Sequence, residues 1–149
     1  MIVTADTNLF VYAVDLRDAK KHEAAGLLIS RLADIGAPIG LQVVGEFYHA
    51  IVRRLAFAPW QAAQAARNLL VAHASFKPNR QSTERALAEA AAGRFSYWDA
   101  ALLSAAEQAG CTHILSEDMH DGARLGRLEI VNPFGPGGTS DRACALLSL

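Results

Sequence analysis

Short apolar runs alternate with longer stretches of helical period along this chain, and that alternation restricts the fold more than any other feature. Residues 2–5, 39–41, 113–115 and 129–131 are short apolar runs that fit buried strands. Between them the apolar positions recur at helical spacing. Ala24, Leu27, Leu28, Leu32 and Ile35 share one face of a helix over 22–35. Val43, Val44, Phe47, Ile51, Val52 and Leu55 do the same over 43–55. Helices are also predicted over 9–14, 60–72, 82–92 and 97–109, the last capped by Ser96 and closed by Gly110. Residues 16–21 read as a charged loop and 76–79 as a short extended piece. Strands separated by helices pair through crossovers, so the fold class is α/β with a mainly parallel sheet.

A chain of 149 residues, 52% of them apolar, supports one domain with its own core. That domain is expected to span residues 1–134 and to fold without the rest. Residues 135–149, GPGGTSDRACALLSL, change character. A linker-like glycine stretch leads to an apolar end that can dock as a terminal helix, swap onto a neighbour or reflect an altered chain end. No apolar run approaches the roughly 20 residues of a membrane span. The start, MIVTA, has neither the basic segment nor the cleavage site of a signal peptide, so a cytoplasmic protein is expected. A net charge of −1 argues against tight, non-specific nucleic-acid binding, which rests on counterion release by Lys and Arg. A local basic patch stays open. Cys111 and Cys144 form no CxxC pair and suggest neither a disulfide nor a metal site.

Four acids stand where strand gives way to helix: Asp6 in MIVTADTNLF, Glu46 in IGLQVVGEFYHA, Asp99 in RFSYWDAALLSAA and Asp118 in THILSEDMHDG. Open parallel sheets bind ligands outside the carboxyl ends of their strands, so residues far apart in sequence meet there. Each acid alone has an ordinary role. Asp6 is a good helix cap, Asp99 completes a capping-box pattern with Ser96, Glu46 suits a solvated helix face and Asp118 suits a turn. Together they repel one another, and hard divalent cations such as Mg²⁺ or Mn²⁺ relieve that repulsion through oxygen ligands. Thr7, Asn8 and Ser116 lie beside the acids and can orient them.

The segments ADTNLFVYA, GEFYHAIVRR, SYWDAALLSAAEQAGC and HILSEDMHDG, followed by LEIVNPF, resemble a PIN-domain ribonuclease of the VapC toxin type over residues 1–134. The tail from Gly135 lies outside that pattern. The resemblance implies a three-layer α/β/α domain with a mainly parallel central sheet. It implies that Asp6, Glu46, Asp99 and Asp118 bind Mg²⁺ or Mn²⁺ and cut single-stranded or looped RNA, tRNA being one possibility. Asp6 and Asp99 are the expected direct ligands, completed by Glu46 and Asp118. Glu117 and Asp121 are alternatives to Asp118. The resemblance further implies a cognate antitoxin and a homodimer.

RNA contacts are expected from Arg17, Lys20, Lys21, Arg80, Arg94 and Arg124, with Tyr97 and Trp98 as stacking faces. His49, one turn after Glu46, either hydrogen-bonds it or is structural. Leu27, Leu28, Ile51 and Leu55 either line a groove for an antitoxin helix or belong to the core. Two other functions compete. An α/β phosphatase or phosphotransferase would use Asp6 as nucleophile, yet position 8 is Asn and Lys77 is the last lysine. A non-catalytic PIN-like binding module has no evident reason to carry all four acids.

Overall fold

The computed structural model describes all 149 residues. Strand β1 (Val3–Ala5) is buried throughout and runs straight into α1 (Thr7–Tyr12). The carboxylate of Asp6 caps α1 by accepting from Thr7 N at 2.6 Å. Helix α2 (Ala19–Asp34) starts earlier than its apolar spacing predicts. Asp18 caps it, accepting from Lys21 N at 3.1 Å, so part of the predicted charged loop is its polar first turn. Next come β2 (Ile39–Gly40), α3 (Leu41–Leu55) and α4 (Pro59–Ala72). Pro59 occupies the first position of α4, where its missing N–H costs nothing. Then follow β3 (Ser75–Phe76), α5 (Arg80–Ala91) and α6 (Tyr97–Gln108). Asn79 and Ser82 cap α5 reciprocally, so the predicted extended piece beyond Phe76 serves as its lead-in.

Strand β4 (His113–Leu115) pairs parallel with β1, Ala5 opposite Leu115. Strand β6 (Leu128–Val131) pairs parallel with β4 on its other side. Strand β5 (Arg124–Leu125) joins β6 in an antiparallel hairpin, giving the order β1-β4-β6-β5. The hairpin turn needs Gly126, whose φ is +58°. A Cβ there would stand 2.6 Å from Glu107 Oε1. β2 and β3 form their own parallel pair. The buried hydroxyl of Thr4 donates to Pro38 O at 2.8 Å and ties β1 to the approach of β2.

The expected class is observed, an α/β fold whose central sheet is mainly parallel. Two-residue strands such as β5 carry too little periodicity to be read from sequence. One apolar cluster of 30 buried residues holds the layers together. Leu28 and Ile51 are completely buried in it, which decides for them between the two alternatives, groove or core: both side chains are core. Leu27 is 51% exposed.

The C-terminal segment takes the first of its three expected forms. A small hairpin, β7 (Phe134–Gly135) with β8 (Gly138–Thr139), leads into α7 (Asp141–Leu147). Ala143 and Leu147 are buried in the main core cluster. Arg31 Nε donates to Leu147 O at 2.8 Å, and Arg142 pairs with Asp121 and Glu129. Burial on this scale predicts that Leu147→Ala lowers unfolding free energy by about 2–5 kcal/mol. Deleting residues 135–149 should lower it further. Urea unfolding measures both, and a truncated chain with the full-length midpoint would bear out the expectation that residues 1–134 suffice.

Candidate active site

Because β1 and β4 run parallel, the residues that follow them emerge on the same edge of the sheet. Asp6 N donates to Leu115 O at 2.9 Å and Ser116 N to Val131 O at 3.0 Å, which continues the ladder one step past the strands. A cavity of about 850 Å³ opens there. α1 supplies Thr7 and Asn8 to its wall, and α3 supplies Gly45, Glu46, His49, Ala50, Arg53 and Arg54. Asp6, Asp99 and Asp118 complete it. All four acids singled out in the sequence therefore line one cavity, although they come from four separate places in the chain.

The four are held differently. Asp6 is buried, with one oxygen taken by Thr7 N and the other accepting from Ser116 Oγ at 2.9 Å. Glu46 is exposed and accepts from Thr7 Oγ1 at 2.9 Å and from Gln42 Nε2 at 2.7 Å. Asp118 accepts from the amide of Asn8, whose Oδ1 in turn accepts from Arg54 Nη1 at 3.3 Å. Asp99 is different again. Ser96 Oγ caps α6 by accepting from Asp99 N at 3.2 Å, while the Asp99 carboxylate accepts no hydrogen bond. The capping box is thus half made, and its acid is left facing the cavity without a partner.

Electrostatics couple the set. Burial pushes the Asp6 carboxyl above the usual carboxylate range. Its bonds from Thr7 and Ser116 oppose that rise, and the charges of Asp118 and Glu46 add to it. Asp118 sits at an exposed rim, yet partial burial of its carboxyl raises it too. The charges of Glu117 and Asp99 reinforce the rise, while Asn8 and Arg54 oppose it. As they stand, no three His, Cys, Asp or Glu side chains are close enough to share a metal ion. By chemistry the four acids still present an all-oxygen donor set with uncompensated negative charge.

The remaining candidates fall elsewhere. Glu117 turns away to Lys21 Nζ at 2.6 Å, and Lys21 also reaches Tyr12 OH at 3.1 Å. Asp121 accepts from Asn132 N and Arg142 at the tail. Neither lines the cavity. His49 does, but its Nε2 lies 3.3 Å from Arg53 Nη1 and it makes no bond to Glu46. Of the six basic residues expected at RNA, five are already paired: Arg17 with Asp15, Lys21 with Glu117, Arg80 with Glu84, Arg94 with Glu89 and Arg124 with Glu129. None of the six lines the main cavity, but Arg94 and Arg124 line a neighbouring one of about 500 Å³ that shares Asp99 and Asp118 with it. Arg53 and Arg54 line the main cavity, and sequence reasoning missed them. The available signal was their place seven and eight residues beyond Glu46, two turns along the same helical face.

No family model matches the sequence, and no curated protein matches it either. Solved structures do match the fold. The crystal structure of Mycobacterium tuberculosis VapC20, described as a Sarcin-Ricin loop cleaving toxin, superposes with a TM-score of 0.58 at 18% identity. That match covers 75% of this chain and 86% of the other. VapBC2 from Rickettsia felis, solved bound to a DNA fragment from its promoter, gives 0.60 at 16% identity over 87% and 97%. The architecture is that of the PIN-domain VapC structures, an α/β fold with a mainly parallel central sheet. No helix is long and apolar enough to cross a membrane.

The raised carboxyls carry a stability consequence. A group whose folded pKa exceeds its unfolded value contributes fully below the unfolded value and loses that contribution as pH rises through the folded one. Asp6 and Asp118 therefore weaken the metal-free fold at neutral pH. Asn caps a helix as well as Asp does, so Asp6→Asn should raise the melting temperature in chelator at pH 7, on the order of a few degrees. The gain should vanish in acid, and thermal melts across pH check it.

Proposed function

We propose that this chain is a metal-dependent endoribonuclease that acts as the toxin of a toxin–antitoxin pair. The observation that supports it most directly is the single cavity lined by Asp6, Glu46, Asp99 and Asp118 at the carboxyl edge of a parallel sheet. Asp6 and Asp99 would hold Mg²⁺ or Mn²⁺, with Glu46 and Asp118 completing its surroundings. When bound, the ion supplies Lewis-acid charge to a phosphodiester and lowers the pKa of water at neutral pH.

The chain's own residues do the rest. Thr7 N and Ser116 Oγ fix the Asp6 carboxylate, and Thr7 Oγ1 with Gln42 fixes Glu46. The free carboxylate of Asp99 is the one that can turn onto an ion without breaking a bond. Arg53 and Arg54, the basic residues on the cavity wall, give it positive charge to draw an RNA phosphate past the acids. A phosphatase that uses Asp6 as nucleophile is less well supported. Both Asp6 oxygens are already engaged, and no lysine lines the cavity. The resemblance to VapC toxins adds the antitoxin and a homodimer to the reading. Light scattering tests the dimer, and a monomer at micromolar concentration rejects it.

Incubating the purified protein with total RNA and Mn²⁺, with and without chelator, tests the activity. Cleavage that requires the ion is expected, and mapping the cut ends gives the substrate. Asp6→Asn and Asp99→Asn should each cut more slowly, on the order of 100-fold or more, while staying folded. Mn²⁺ should raise the melting temperature of the wild type and leave that of Asp6→Asn nearly unmoved. Near-normal cleavage by either variant at low metal would remove the ligand assignment.

A further inference from the structure

A second cavity, of about 530 Å³, adjoins the acidic one. Leu41, Gln42, Gly45, Glu46 and Trp98 line it. Gly45 and Glu46 belong to both cavities, so the two run together over α3. Its size lies within the range of small-ligand sites.

Three features of its wall are unexplained by the fold. Trp98 is 66% exposed, although a large aromatic gains most from burial. It is nevertheless oriented: the Tyr97 ring meets it edge to face, with centroids 5.0 Å apart. Tyr97 itself packs against buried Ala86, Ala100 and Ala101. Gln42 Nε2 bridges Glu46 Oε1 and Trp98 O, at 2.7 and 3.1 Å, which pins the start of α6 to α3. Its Oε1 accepts nothing and remains available. Finally, Gly45 sits inside α3, where glycine weakens a helix. A Cβ at that position would meet no atom within 4 Å, so packing does not call for glycine.

We propose that this cavity is a subsite for one unpaired nucleobase of an RNA strand. The base stacks on the exposed face of Trp98, and an exocyclic amino group can donate to Gln42 Oε1. Gly45 leaves open floor for the sugar–phosphate chain to pass from the base to the carboxylates. Arg53 and Arg54, on the wall of the acidic cavity it opens into, can pair with the phosphates of such a strand, while the four acids there need a bound cation before a polyanion can approach them. The subsite deepens the nuclease reading and rests on it for the identity of the ligand.

Trp60 is the only other tryptophan and lines neither cavity, so Trp60→Phe leaves Trp98 as sole reporter. That protein is titrated with a mixed-sequence single-stranded octaribonucleotide, in chelator and again with Ca²⁺, while its fluorescence is followed. Saturable quenching by the single strand, and not by the same sequence as a duplex, is expected. In cleavage assays Trp98→Ala should raise KM by about 5- to 150-fold, with a smaller change in kcat, and Trp98→Phe should restore most of it. Gly45→Leu should raise the melting temperature and still raise KM, which separates occlusion of the subsite from loss of fold. No quenching together with wild-type KM in both variants overturns the subsite while leaving the nuclease standing. Quenching by a protein that cuts no RNA keeps the subsite and removes the nuclease reading instead.

Discussion

The parallel pairing of β1 with β4 ends in a backbone bond from Asp6 N to Leu115 O, and the carboxyl edge of the sheet is hung from it. That bond fixes where Asp6 leaves the sheet. The Asp6 carboxylate then caps α1 through Thr7 N and crosses to Ser116 Oγ just past β4. One buried acid thus joins two strands and starts a helix. Thr7, the next residue, reaches α3 through its hydroxyl bond to Glu46. Three elements remote in sequence are held by a short run of hydrogen bonds around a charge that burial disfavours.

The charge balance of the cavity is set by how each acid is partnered. Asp6 and Asp118 are pushed up by burial and by acidic neighbours, yet each keeps donors that favour its ionised form. Arg54 reaches the set through Asn8 rather than by a direct ion pair, so it moderates the negative charge without cancelling it. Most other arginines of the chain are neutralised by a carboxylate of their own. Exposed pairs of that kind contribute little stability, generally under about 1 kcal/mol. Their effect here is to leave the cavity as the place where acids outnumber their partners.

Helix α3 carries two tasks on two faces. Val43, Phe47 and Ile51 are buried and anchor it to the core. Gly45, Glu46, His49 and the two arginines face the cavity. The rigid side fixes the spacing of the open side, as expected where a site is built on a regular element. α6 repeats the arrangement in shorter form, with a buried stretch from Ala100 to Ala106 behind an exposed Trp98 and a partnerless Asp99.

The sequence by itself determined the fold class, most of the helices and the four acids of the cavity. Those features are written in local terms: a hydrophobic period of 3.6, short apolar strands, and acids at the points where one gives way to the other. It also carried the resemblance that names the architecture. Tertiary structure decided what depends on pairing across distance. Only the turn after β4 separates Asp118 from Glu117, because it sends one to Asn8 and the other to Lys21. Only packing removes Leu28 and Ile51 from the surface and draws Ala143 and Leu147 into the core. Which arginines face the cavity was likewise settled by the direction of α3, since a basic residue looks the same in sequence whether its charge is already paired or free. Partner choice for charged and apolar side chains is a property of the assembled surface, which no single segment encodes.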